Sequence, residues 1–149
     1  MPRQAKHELG QTLMLALQDF QRRLDADLES RGFPGVRQRH RSVFLHLARH
    51  GASRSVDLAA AAGIRPQSMM RVVHELEELG LVTRAPDPRD SRAKLVEFTS
   101  AGERMMEQLS ASTEVVWSQY AGLVGAKQLR QTLDALRELV TASQEQGEI

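Results

Sequence analysis

The stretch from Gly80 to Gly102 constrains the fold most. It reads Gly80-Leu81-Val82-Thr83-Arg84, then Asp87-Pro88-Arg89-Asp90-Ser91-Arg92, then Leu95-Val96-Glu97-Phe98-Thr99-Ser100-Ala101-Gly102. Two short apolar runs flank a segment crowded with Pro, Asp and Arg, the pattern of a β-hairpin with a long charged tip. A helical pattern from Pro66 to Leu79 precedes it directly. There Met69, Val72, Val73, Leu76 and Leu79 recur at helical spacing and predict one buried face, and Pro66 suits a first turn because its missing N–H is not needed there.

A shorter helix comes before that. Ser55 is its expected cap, Asp57 lies in its opening turn where the helix dipole favours an acid, and Leu58-Ala59-Ala60-Ala61-Ala62 packs closely before Gly63 turns the chain. Two short helices followed by a basic hairpin make a winged helix-turn-helix. That arrangement can hold DNA twice, with a helix in the major groove and a wing on the minor groove or the backbone. Gln67, Ser68, Met70, Arg71 and His74 are left on the open faces of the second helix, where a recognition helix meets base edges.

Longer helices flank this segment. Leu9, Leu13, Leu17, Phe20, Leu24 and Leu28 form one stripe on a helix from about Lys6 to Ser30, which Gly32-Phe33-Pro34-Gly35 ends. Val36, His40, Val43, Phe44 and Leu47 share a face from Val36 to His50, with Gly51 as C-cap. After the hairpin, Ser100 and Glu103 stand as a capping box, with Thr99 as the rival cap, and open a helix through Met105, Met106, Leu109, Val116 and Trp117 to about Leu123. Gly122 and Gly125 bracket an expected break. Leu129, Leu133, Leu136 and Val140 form a seam on a last helix from about Ala126 to Ser143, and the polar tail Gln144 to Ile149 is expected to fray. A small winged helix does not need all these stripes. Their simplest partner is a second copy of the chain, and a two-fold dimer suits palindromic half-sites one turn apart.

The 149 residues suit one domain. Net charge is only +1, but its distribution is uneven. Residues 37–98 carry 11 Lys and Arg against 7 Asp and Glu, while residues 99–149 carry 4 against 7. The basic excess therefore coincides with the helix-turn-helix pattern, as a phosphate backbone requires, although a solvated mixed-charge face has the same composition. Cysteine is absent, which removes disulfides, thiol catalysis and Cys-based zinc sites. No apolar run approaches the roughly 20 residues of a membrane span. The start, Met1 to His7, has no apolar signal region, so a cytoplasmic protein is expected.

His46 and His50 have the i, i+4 spacing of metal ligands, but no acidic or Cys-rich partner stands near them in sequence; surface or interface histidines are the simpler reading. Gly122 to Lys127 lacks phosphate-loop spacing, and no catalytic constellation stands out. No cofactor is implied, and the expected chain is not an enzyme. The methionines and Trp117 fit core positions, yet Trp117 and Tyr120 lie on the helix following the wing, where an effector could couple to DNA affinity.

The segment Leu76-Glu77-Glu78-Leu79-Gly80-Leu81-Val82 with Arg84, then Asp90-Ser91-Arg92, then Phe98-Thr99-Ser100-Ala101-Gly102 resembles the MarR family of multiple antibiotic resistance regulators. The motifs cover about residues 40–104, and the flanking helices match by layout. The resemblance implies a mainly α fold with a small β-hairpin wing. Residues 36–100 would form the DNA-binding lobe of a single 1–149 domain, with 1–35 and 101–149 as dimerisation helices. It further implies a homodimeric transcription factor, usually a repressor, which a small aromatic or anionic effector often releases from a palindromic operator.

Carried over by position, Gln67, Ser68, Met70, Arg71 and His74 occupy the recognition surface. Arg92 takes the wing position that enters the minor groove, Asp90 the acid that orients it, and Arg84 the strand position near phosphates; Arg89 and Lys94 complete the basic wing. Ser91 stands where the family often has a second Arg, and Met70 where a polar residue is common. Met70 could meet a thymine methyl or simply pack, and Arg71 could read guanine or hold a phosphate. A low-specificity architectural DNA-binding protein, or less readily a ligand- or metal-binding enzyme that reuses the fold, are the alternatives.

Overall fold

The computed structural model describes residues 2–147, with side chains from Lys6 onward. Met1, Glu148 and Ile149 lie outside the described residues, and with them part of the expected signal-free start and frayed tail. The elements are α1 (Pro2–Ser30), α2 (Gln38–His50), α3 (Ser55–Ala62), α4 (Pro66–Glu78), β1 (Val82–Asp87), β2 (Asp90–Phe98), α5 (Ser100–Val124) and α6 (Ala126–Glu145). The protein is mainly helical with one two-stranded antiparallel hairpin, a winged helix-turn-helix fold. Two compact units meet in sequence at Ser112 and Thr113.

The first unit is built around one apolar cluster. Val43, Phe44 and Leu47 of α2, Leu58 and Ala59 of α3, and Met69, Val72, Val73 and Leu76 of α4 join Leu28 of α1, Val82 and Val96 of the hairpin and Met105 of α5. Phe44 stacks on Phe98 with ring centroids 6.2 Å apart. Each such side chain contributes roughly 1.5–3 kcal/mol of burial, against at most about 1 for an exposed ion pair. Packing therefore fixes the lobe. Two polar links tie α1 onto it: Arg41 of α2 bonds Asp25, and Arg31 donates to Gln108 of α5 at 3.0 Å.

The join between α4 and the hairpin follows from Gly80. Its φ of +73° is costly for a residue with a Cβ. The Leu81 N–H returns to the Leu76 carbonyl at 3.0 Å and the Gly80 N–H to the Glu77 carbonyl at 2.9 Å. This Schellman closure satisfies the last helical carbonyls and turns Leu81 into the core. Leu79, expected in the core, is instead partly exposed. It is the C-cap residue, where the buried helix face ends, and its side chain lies over Gly35.

Several caps differ from expectation. Ser55 is the first residue of α3, and Arg54 takes the cap position without a side-chain bond to the helix's first N–H groups. At α5 the rival cap wins: the Thr99 hydroxyl accepts the Gly102 N–H at 3.1 Å and donates to the Gly80 carbonyl at 2.5 Å. Thr99 thus serves the helix start and the preceding turn together, which Ser100 could not. Gly102 is required by space, since a Cβ there would lie 2.0 Å from the Leu81 carbonyl oxygen.

The hairpin itself departs from the expected long loop. Asp87 pairs with Asp90, so only Pro88 and Arg89 form the turn. The ladder is regular from Val82↔Phe98 to Pro86↔Lys94 and then shifts register. Ser91, Arg92 and Ala93 are left without partners on β1 and form a bulge, which re-aims a strand locally.

The α1 stripe is split. Leu24 and Leu28 are buried, while Leu9, Leu13 and Leu17 are exposed. In the second unit α5 continues through Gly122, so the break comes only at Gly125, with φ +89°. None of the residues of α6 is buried.

Candidate nucleic-acid interface

Helix α4 turns Met69, Val72, Val73 and Leu76 inward. Gln67, Ser68, Met70, Arg71 and His74 all lie exposed on its other faces. Arg65 caps the same end and is also exposed, a basic residue that the periodicity did not single out. Among the described residues Arg65, Arg71, Arg92 and Lys94 make no ion pair, so their charges are available to an anionic partner. His74 lies 3.3 Å from Glu78, both well exposed.

Arg84 is differently placed. Its guanidinium sits 2.8 Å from Glu77, both side chains about one-quarter to one-third exposed (26% and 32%). The pair ties the first strand to α4, and Arg84 reaches a phosphate only by leaving Glu77.

The wing is fixed at its base and near its turn. Ser53 bridges to Val96, with N to O distances of 3.0 and 2.8 Å, so this residue, two before the start of α3, acts as a short third strand. The next residue, Arg54, donates to Asp87 Oδ2 at 2.7 and 3.0 Å. Asp87 also accepts the Arg89 N–H at 2.9 Å. That backbone bond and then Arg54 hold its carboxyl below the usual range. Asp90 accepts the Arg92 backbone N–H at 3.0 Å and has its other oxygen 3.8 Å from Arg54. Its contact with Arg92 is thus to the bulge backbone and not to the guanidinium. Sequence reading missed Arg54, whose partner lies across the fold.

His46 and His50 face each other with ring centroids 4.5 Å apart. They line a groove of about 800 Å³ with Arg54, Asp57, Asp87 and Arg89. No group of three or more potential ligands among the described residues could hold a metal ion. In the second unit Trp117 is partly exposed and Val116 buried. No helix among the described residues is long and apolar enough to cross a membrane.

Residues 35–93 match the model of the MarR family. An uncharacterised HTH-type transcriptional regulator of Mycobacterium bovis is 38% identical over 66 residues, 44% of this chain and 46% of that protein. The chain thus spans about half the length of the curated relatives it matches. A MarR-family transcriptional regulator of Rhodococcus sp. RHA1 is similar in structure, with a TM-score of 0.67 at 25% identity over 90% of this chain and 93% of that one. Wild-type MarR of E. coli in its apo form shares the fold, with a TM-score of 0.70 at 20% identity over 88% and 96%. The family model is seated on the helix-turn-helix and wing, so it is in this lobe that the chain is similar to the MarR family.

Proposed function

We propose that the chain is a sequence-specific, double-stranded DNA-binding regulator of transcription, a repressor acting as a cytoplasmic homodimer without catalytic activity. The observation that carries this reading is the unpaired cationic surface of α4 and the wing. Among the described residues Arg65, Arg71, Arg92 and Lys94 have no counter-ion, while Ser53 and Arg54 hold the wing to the helix pair. Gln67, Ser68, Met70, Arg71 and His74 then face base edges in a major groove, and Arg92 with Arg89 and Lys94 meets the flanking minor groove and phosphates. Residues 36–100 serve as the DNA-binding lobe and residues 1–35 and 101–149 as dimerisation helices. The exposed Leu9, Leu13 and Leu17 and the unburied α6 support that division. A small aromatic or anionic effector fits the family, with its pocket unassigned.

Selection from a random duplex library with purified protein tests the proposal. The expected result is a two-fold-symmetric site with half-sites about one turn apart, preferred over scrambled DNA by more than about 10³. Steeply salt-dependent binding to every duplex would favour the architectural reading instead.

A further inference from the structure

The N-terminal end of α2 is joined to the middle of α4 by a polar contact that touches none of the proposed DNA-facing side chains. His40 is fully buried there. Its Nδ1 accepts the Arg37 N–H at 3.0 Å, so that nitrogen carries no proton. Its Nε2 lies 2.7 Å from Glu75 Oε2, and a neutral ring with an accepting Nδ1 holds its proton on Nε2. His40 therefore donates to Glu75. The same oxygen accepts the Arg39 Nε–H at 2.7 Å. Two donors from α2 thus grip one carboxylate of α4, a single turn beyond Arg71.

We propose that His40 is a positioning residue for the DNA-facing surface of α4, holding that helix through its Nε2–H on Glu75. The proposal rests on the DNA-binding reading. The geometry accepts one tautomer only. A proton on Nδ1 would set two N–H donors against each other in a buried site, and the ring would keep Glu75 only by leaving Arg37. The charged groups that act on His40 are Glu75 from α4 and Arg39 and Arg37 from the start of α2. Burial outweighs Glu75 and lowers its pKa from 6.5, while the His40 and Arg39 hydrogen bonds lower that of Glu75 from 4.5. Above about pH 6.5 the neutral ring keeps both bonds; as pH falls toward and through the lower folded value for His40, the added proton goes to Nδ1 and the Arg37 bond is lost while Nε2–H stays on Glu75.

Two substitutions separate positioning from simple packing. His40→Asn places an amide oxygen near Nδ1, so it keeps the Arg37 bond and is too short for Glu75. His40→Gln places an amide N–H near Nε2 and keeps Glu75. The expected result at pH 7.5 is that His40→Asn loses about tenfold in affinity for the selected duplex, while His40→Gln stays within about threefold, the scale of one misplaced contact. If His40→Asn binds like the wild type, or both variants lose alike, His40 is a cap and core filler and the proposal is overturned. Should His40→Asn fail to fold, Glu75→Ala removes the contact from the exposed side, with the same loss expected. Two readouts need no DNA: ¹⁵N shifts of His40, where a protonated Nδ1 at pH 7 overturns the proposal, and amide exchange in α4, expected to quicken in His40→Asn but not in His40→Gln. A chain that binds no duplex would refute the functional reading while the tautomer and the contact remain separately readable.

Discussion

Arg54 and Asp87 stand 33 residues apart, yet the guanidinium donates both Nε–H and Nη2–H to the same carboxylate oxygen, at 3.0 and 2.7 Å. The contact fastens the wing turn to the start of α3. It acts beside the Ser53 and Val96 bridge, so the wing has two attachments at different heights along the hairpin.

Removing the outer attachment should free the turn and leave the core intact. Asp87→Asn keeps the shape and loses the charge. The Arg89 amide is expected to exchange faster with solvent while the melting transition stays cooperative. The wild type has a matching pH response. Its carboxyl is held below 3.8, so this contribution is complete above that pH and lost as pH falls through the lower folded value. Unchanged Arg89 protection in the variant would show that the bridge alone holds the wing.

Arg92 and Arg71 should fail in different ways. Arg92 sits in a strand bulge on the wing, so Arg92→Ala is expected to weaken all duplexes alike and reduce the salt slope by about 1, with a normal circular dichroism spectrum. Arg71→Ala should cost about 1–3 kcal/mol at one base position and relax preference there. Titrations of matched and single-mismatch duplexes at two salt concentrations distinguish these patterns. A uniform loss from Arg71→Ala would make it a phosphate contact.

Two glycines predict opposite signs. Gly102→Ala would put a Cβ 2.0 Å from a backbone oxygen that cannot swing aside. A loss of roughly 3 kcal/mol is expected, the upper part of the usual overpacking range. Gly122 lies exposed within α5 with nothing within 4 Å of a Cβ position. Gly122→Ala should stabilise by about 0.5–1 kcal/mol through helix propensity. Thermal or urea unfolding measures both, and a tolerated Gly102→Ala would mean that α5 shifts freely against Leu81.

The exposed apolar faces predict a concentration-dependent assembly. Leu139 is 59% exposed and Val140 52%, too much apolar surface on one helix for a chain that works alone. Leu139→Glu with Val140→Glu should move the protein toward monomer in light scattering after size exclusion. An unchanged dimer mass would place the contact elsewhere, and a monomer mass for the wild type would refute the proposed homodimer.

Much of this was legible in the sequence, for identifiable reasons. The 3.6-residue period of Met69, Val72, Val73 and Leu76 reports burial directly, because one helix face meets one core. Glycine after α4 reports a turn because few residues take its φ. Leu79 was misread because periodicity does not show where a cap interrupts a face. Thr99 prevailed over Ser100 through a second bond to the Gly80 carbonyl, a tertiary contact. Charge counting could not tell Arg84, held by Glu77, from Arg92, which makes no ion pair among the described residues. Arg54 was invisible because its role exists only once Asp87 is folded against it.

A twenty-residue helix with no buried residue has a physical consequence of its own. Most helical stability in proteins comes from packing of an apolar face, so in the proposed homodimer α6 would draw its order from association. Dilution below the assembly constant should therefore reduce helix content before it touches the core around Phe44. A cell that makes few copies and one that makes many would then hold differently structured populations of the same chain, with expression level acting as a folding variable.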